Sequence, residues 1–390
     1  MSIKKFASFC LAIILSGFVF EFNAQPPPPF TTGLNHPTKI ITAAGNSLLV
    51  SESGTMVPNT GRVSVVDRTS GLRHSLIIGL PSGVSNLGGE PDQDGTTGIY
   101  LQGKTLYLVS GVGDAVFNAG GPGLEAPNPA GPSSPIFNSI MEVTLPSGYE
   151  SLGSGFTMTL ADQFSLAAGT PAVLTNAEGQ RCNVRMVANL PDYRSEPRPG
   201  YPGNVRASHL FDVEKFQKQL YVADAAFNLI YRVDIGSGSV ATFYTFPNRP
   251  NPLFPFGGPF IEPVPDRVHR VGNRLLVPLL TGFPFAAGLS EVQTVSLKNG
   301  EAATLIQGLT SAIDILPVET ADGNGYYTLE FSSNLLGGAP GRIRFFDSSG
   351  TSTIVAPVLI TPTSMARDEN TGDIFVTNIF PGTITKIEFP

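Results

Sequence analysis

Outside its first 24 residues the chain holds four histidines, His36, His74, His209 and His269, and one cysteine, Cys182. They form none of the common hydrolytic or metal-binding motifs: no His-Glu-x-x-His, no Gly-x-Ser-x-Gly, no cysteine pair, no phosphate-cradling Gly/Lys loop. Cys182, between Arg181 and Asn183 with no histidine beside it, reads as an inert thiol. The richer chemistry lies in carboxylates near basic groups. Asp266, Arg267 and His269 stand close together, and Asp314 is set in Ala-Ile-Asp-Ile-Leu, residues 312–316. A carboxylate in so apolar a strand is costly without company. Asp314 therefore implies a partner, a metal or channel water. Asp266, His269 and Asp314 together suit one divalent metal such as calcium. The competing expectation is an Asp–Arg or Asp–His network that ties strands together. Asp92-x-Asp94-Gly95 matches a fragment of a calcium loop, but Asp-Gly is first of all a turn dipeptide.

The elements that must position these groups follow from composition. Of 390 residues, 34 are Pro and 43 are Gly, only 14% are charged, 41% are hydrophobic and none is Trp. So much Gly and Pro disfavours long helices, because they cost about 1 and 3 kcal/mol inside one. Low charge and high apolar content disfavour disorder. A large, turn-rich, mainly β chain remains.

Residues 1–24 read as a secretory signal peptide. Lys4 and Lys5 precede an apolar run, Phe6 to Phe20, that is short for a bilayer span, and Ala24 stands at a cleavage position. The expectation is export to the periplasm or the extracellular space. Residues 25–29 form a Pro-rich spacer, with Pro26 to Pro29 as polyproline II. No later apolar stretch suits a transmembrane helix. Without Lys4, Lys5 and Glu21 the formal charge moves from −7 to −8. An acidic chain is a poor partner for nucleic acid. One cysteine cannot close an internal disulfide, so stability must come from packing.

One pattern recurs along residues 30–390. Its clearest parts are the apolar triplets ending at Val50, Leu108, Val222, Val277, Thr328 and Val376, which fall 58, 114, 55, 51 and 48 positions apart. Each is followed by an alternating strand such as Gly61–Asp67, Leu229–Asp234 or Gly341–Asp347. Fourth strands share phrases such as Ser75–Leu80, Ala303–Leu309 and Ser352–Ala356. Phe30–Leu34 matches that fourth-strand phrase but stands before the first unit, while the last unit stops after three strands. The spacing predicts an all-β fold, a six-bladed β-propeller closed by an N-terminal strand that completes the last blade. It is a single domain with loop insertions at about 111–138 and 150–203, the latter with a short helix at 161–168. A third loop, 246–260, holds five prolines and four phenylalanines.

The phrases Thr32-Gly-Leu-Asn-His-Pro-Thr38, Tyr221-Val-Ala-Asp-Ala-Ala-Phe-Asn228, Leu280-Thr-Gly-Phe-Pro-Phe285 and Thr361-Pro-Thr363 resemble the ScyD/ScyE family of exported bacterial proteins. The resemblance implies an exported, NHL-like propeller. It supplies no reaction and no catalytic residues.

A propeller places its site in the central channel, near its first strands. The residues expected there are His36, Thr38, His209, Asp266, Arg267, His269, Asp314 and Thr363. Glu52, Asp224, Glu330 and Asn378 end second strands and are expected to hydrogen-bond the turn that follows. Phe254 and Phe256, with His209 and Arg267, are the expected contacts to a ligand or partner. The leading expectation is a monomeric binding module that takes a protein or small ligand on one propeller face. The alternatives are a metal-dependent, lactonase-like or lyase enzyme with a central-channel site, and a structural module of the cell envelope.

Overall fold

The computed structural model describes residues 25–390 except 88–90, 122, 321–322 and 390. The expected signal peptide, residues 1–24, lies outside the described residues. Six antiparallel sheets form the blades. Blade 1 runs Pro37–Thr42, Ser47–Glu52, Gly61–Asp67 and Arg73–Leu80, and blade 2 runs Asp92–Gln102, Thr105–Ser110, Ser139–Thr144 and Arg181–Asn189. Blade 3 runs Leu210–Phe216, Gln219–Asp224, Leu229–Asp234 and Val240–Thr245. Blade 4 runs His269–Val271, Arg274–Leu279, Ser290–Ser296 and Ala302–Leu309, and blade 5 runs Ala312–Thr320, Gly323–Glu330, Gly341–Phe346 and Ser352–Leu359. Blade 6 has Pro362–Arg367, Ile374–Asn378 and Thr383–Ile387, and its outer strand is Pro29–Thr31 from the other end of the chain.

That closure is held by pairing of Pro29 with Thr385 and Thr31 with Ile384, and by Leu34 N–H donating to Gly382 O at 3.0 Å. Gly382 has φ +62°, and a Cβ there would collide with Leu34 O. A glycine is needed for the two ends of the chain to meet.

Each blade buries its faces against its neighbours. Ile40, Leu48 and Val50 of blade 1 pack on Ala366, Phe375 and Ile384 of blade 6. Tyr221 and Ile230 of blade 3 meet Leu275, Val277 and Val295 of blade 4, and Leu276, Val292 and Ile306 of blade 4 meet Ala312, Ile315 and Phe346 of blade 5. Fully burying such a side chain is worth about 1.5–3 kcal/mol. The seams, not single blades, make the core, as repeat architectures require.

The insertions are more ordered than the sequence suggests. The 111–138 loop contains a hairpin, Val116–Asn118 with Glu125–Pro127. Much of 150–203 belongs to blade 2: Arg181–Asn189 is its fourth strand and Ala172–Thr175 adds a fifth. The helix is Leu160–Ala167, started by a capping box between Thr159 and Asp162. Cys182 is buried in that fourth strand, where burial pushes its thiol up to about 12. Asp92 to Gly95 is not a turn but the start of the long strand Asp92–Gln102. Among the described residues no helix is long and apolar enough to cross a membrane.

Candidate functional site

The first strands share one irregularity. In five blades the pairing with the second strand slips by a residue, after Pro37, Thr96, Leu210, Ala312 and Pro362. Blade 4 has the same excess between the Pro265–Leu279 bridge and the His269–Leu276 pair. A bulge re-aims the side chains beside it. Two rings of equivalent positions result: Thr38, Thr97, Phe211, Asp266, Ile313 and Thr363, then Lys39, Gly98, Asp212, Arg267, Asp314 and Ser364.

In the first ring the threonines stitch blade to blade. Thr363 Oγ1 donates to Pro37 O at 2.9 Å, Thr38 Oγ1 to Thr97 O at 2.9 Å, and Thr97 Oγ1 to Leu210 O at 2.8 Å. The second ring fills the axis. Lys39 Nζ reaches Asp212 Oδ2 at 2.8 Å. Gly98 leaves room for Asp212, whose Cα would lie 2.6 Å from a Cβ at 98. Arg267 is 0% exposed; its guanidinium donates to Thr38 O and to Thr363 O and stacks over the Phe211 ring at 4.8 Å. Arg267, expected as a ligand contact, is thus a strut across the axis.

The metal trio of the sequence reading divides between two networks. Asp314 Oδ2 accepts from Ser364 Oγ and from the Met365 amide, each at 2.8 Å, an inter-strand tie made by a hydroxyl and an amide and not by the arginine or histidine of the expected network. His269 lies along the axis near Lys39, Asp314 and Asp212, and burial, with Lys39 adding to it, pushes its imidazole down to about 4. Asp266 belongs instead with His209. Among the described residues no three His, Cys, Asp or Glu side chains are arranged to hold a metal ion.

The antiparallel order puts every link from a second to a third strand, and from one blade to the next, on one face. The longest connection, 145–180, joins the third and fourth strands of blade 2 and leaves from the other face, whereas the long connections 111–138, 190–209 and 246–268 are such links and gather at this mouth of the channel. There His209 Nε2 meets Asp94 Oδ1 at 3.2 Å. Asp94 also accepts from the amides of Gly95 at 2.7 Å and Gly113 at 2.8 Å. Burial opposes the charge of both partners. The pairing outweighs it, holding Asp94 below its ordinary range and raising His209 to about 9, with Asp224 and Asp266 adding to the His209 shift. Asp224 accepts from Ser208 Oγ at 2.6 Å, the His209 amide at 3.1 Å and the Phe227 amide at 2.9 Å. Burial nonetheless pushes it up, as it does Asp92. Asp266 is only 3% exposed, its Oδ2 has no hydrogen-bond partner, and burial raises its carboxyl to about 8 against the pull of Arg267 and His209.

The polar residues ending second strands prove to be ties, with a correction. Glu52 accepts from the Asn35 amide at 2.5 Å and Glu330 from the Thr310 amide at 2.6 Å, both in the link that precedes the first strand. Only Asp224 also takes an amide from the turn that follows, while Asn378 bonds Thr383 and Thr385. Sequence reasoning missed Asp94, although its Asp-Gly dipeptide drew notice. Its pairing with His209 crosses 115 positions, and no local pattern marks that.

On the same face the Phe-rich loop is only partly folded in. Phe246 is buried, but Phe254 is 60% and Phe256 48% exposed, and Leu253 and Phe260 are exposed beside them. Phe256 rests on Phe283 at 5.2 Å between centroids, and Phe283 on Phe285 at 5.7 Å. Phe331 packs both on Phe283, Phe285 and Leu335 and on the buried cluster that includes Leu280, against which Phe211 and Val264 also pack. An apolar wall therefore runs from the exposed loop to Phe211, whose ring lies edge-on to His209 at 5.5 Å. A separate groove of about 490 Å³ opens toward the other face between blades 4 and 5, lined by Leu305, Ile306, Asn324, Tyr326, Phe346 and Asp347.

No protein-family model matches the chain, and no curated protein matches it. Several solved structures are similar. A Bacteroides thetaiotaomicron auxiliary nutrient binding protein is 10% identical, with 91% of this chain and 70% of that one covered at a TM-score of 0.48. A protein of unknown function from the same organism is 9% identical, with coverages of 94% and 72% and a TM-score of 0.47. Hydrazine synthase of Kuenenia stuttgartiensis is 11% identical, with coverages of 96% and 99% and a TM-score of 0.44. At such identities the chemistry of these proteins says nothing of this chain's.

Proposed function

We propose that the chain is an exported, monomeric binding propeller of the ScyD/ScyE kind that takes a ligand or partner on its loop-bearing face. The carrying observation is the exposed apolar set Leu253, Phe254, Phe256 and Phe260 on the face that carries the connections 111–138, 190–209 and 246–268. Exposed apolar side chains grouped on one face of a soluble protein mark interaction surfaces. The wall behind them leads to a channel mouth with ionised and unpartnered groups, so one ligand can meet apolar and polar chemistry together. The resemblance of Leu280–Phe285 to a ScyD/ScyE phrase supports the same face, because Phe283 and Phe285 form that wall.

The test is a thermal-shift and calorimetric screen of peptides, oligosaccharides and small amphiphiles against the chain and its Phe254→Ser/Phe256→Ser variant. The reading expects at least one ligand whose affinity falls tenfold or more in a variant that melts as the parent does. Ligands that bind both proteins equally would assign the loop to packing. The export part is tested by fractionation and N-terminal sequencing, which should find the chain outside the cytoplasm and starting at Gln25.

A further inference from the structure

The mouth of the channel has an excess of acid. Asp92, Asp94, Asp224 and Asp266 face two imidazoles, those of His36 and His209. Three of these carboxylates are provided for. Asp94 has two amides and a histidine, Asp224 has a hydroxyl and two amides, and Asp92 has the Gln93 amide at 2.8 Å. Asp266 feels the charges of Arg267 and His209 but takes no hydrogen bond from either: it is nearly wholly buried and its Oδ2 is an orphan acceptor. Its ring position makes the gap plain, since Thr38, Thr97 and Thr363 each donate to the next blade from there. The Asp266 carboxyl makes no such bond to the next blade. Native proteins seldom leave such a group unpaired without a use for it.

The missing partner is then a donor with positive charge. A hard divalent ion is a poor fit, because it asks for six to eight oxygens and no three metal-ligating side chains converge among the described residues. Apolar groups flank the position of Asp266: Phe211 holds the same ring position in the preceding blade, Val264 lies two residues before it, and both pack on the buried cluster of Leu280, as Phe331 does. Carboxylate with ring faces is the chemistry that recognises organic ammonium groups. Resting on the ligand-binding reading above, we propose that the channel mouth binds a ligand bearing an organic ammonium group, its N–H donating to Asp266 and its carbon frame lying on the Phe211–Phe331 wall.

Binding has a proton signature. Near neutrality burial keeps Asp266 protonated, with its carboxyl raised to about 8. A bound ammonium re-ionises it and releases close to one proton, so affinity rises about tenfold per pH unit below that value. The probes are benzylamine and butylamine, with benzyl alcohol and benzoate as neutral and anionic controls. Each is titrated calorimetrically into the mature chain up to millimolar concentration, in two buffers of different ionisation enthalpy. The proposal expects at least one ammonium probe to bind with proton release while the alcohol and the acid do not, and Asp266→Asn to weaken it tenfold or more without lowering Tm. It is overturned if no ammonium probe binds, if benzyl alcohol binds as well as benzylamine, or if Asp266→Asn leaves affinity unchanged. Ligands found through Phe254 and Phe256 that are indifferent to Asp266 would leave the binding reading standing and sink this one.

Discussion

Replacing Asp266 by Asn should make the protein more stable, and by an amount that depends on pH. In the unfolded chain Asp266 ionises near its ordinary 3.8; in the fold it holds its proton up to about 8. Between those values the folded state binds one more proton than the unfolded state. Stability therefore falls as pH rises through that window, and the contribution of the proton is complete only below it. The slope is about 1.4 kcal/mol per pH unit, so the wild type should lose about 3 kcal/mol to this group between about pH 5 and pH 7.5. Asn has no such dependence. His209, also raised, contributes a similar fall above its ordinary 6.5 toward about 9, but it is present in both proteins and largely cancels in their difference. Urea unfolding of both proteins across that range measures the gap directly. A gap that widens with pH and levels off above about 8 is the expected result. Parallel curves would refute the reasoning, because they would mean that Asp266 ionises in the fold as it does in water.

Other expectations follow from the same geometry. Arg267→Met should cost about 3 kcal/mol or more in chemical unfolding, since it strips buried carbonyls and Asp212 of a cation while nearly preserving volume; a loss below about 1 kcal/mol would show that the axis does not depend on the strut. Asp94→Asn should bring the His209 titration, followed by NMR of its ring protons, down from about 9 toward its ordinary 6.5, because burial is then opposed only by Asp224 and Asp266; an unmoved titration would place the cause elsewhere. Gly382→Val should destabilise by about 1–3 kcal/mol from positive φ alone, with increased proteolysis of the Pro29–Thr31 strand; unchanged proteolysis would show that closure tolerates a side chain there.

The six-blade plan was legible because a repeat writes itself many times. Val50, Val222 and Val376 each sit at the centre of the same three-strand pattern, and the out-of-place phrase Phe30–Leu34 disclosed the closure. Two stretches misled. Residues 181–189 lie within a span whose composition reads as an insertion, and their pairing with Ser139–Thr144 across the 145–180 connection appears only in the sheet. The Asp94-Gly95 dipeptide favours a turn, yet the ladder of a long strand overrides that local preference.

The site was half visible. Composition and spacing named His209, Asp266, Arg267, His269 and Asp314 and brought all of them to the first strands or their approach. They could not say which way each side chain turns, because a one-residue bulge at the head of every first strand decides that, and a bulge leaves no periodic trace. Nor could they pair groups from different blades. Asp266 and Asp314 are near in sequence register but stand in separate networks, one at the mouth with His209 and one tied to Ser364. Sequence alone determined the blades, because strand, turn and repeat are local patterns multiplied. Tertiary structure alone decided that Arg267 is a strut, that Asp94 is the partner of His209, and that Asp266 has none, because burial and charge pairing depend on what the closed ring brings face to face.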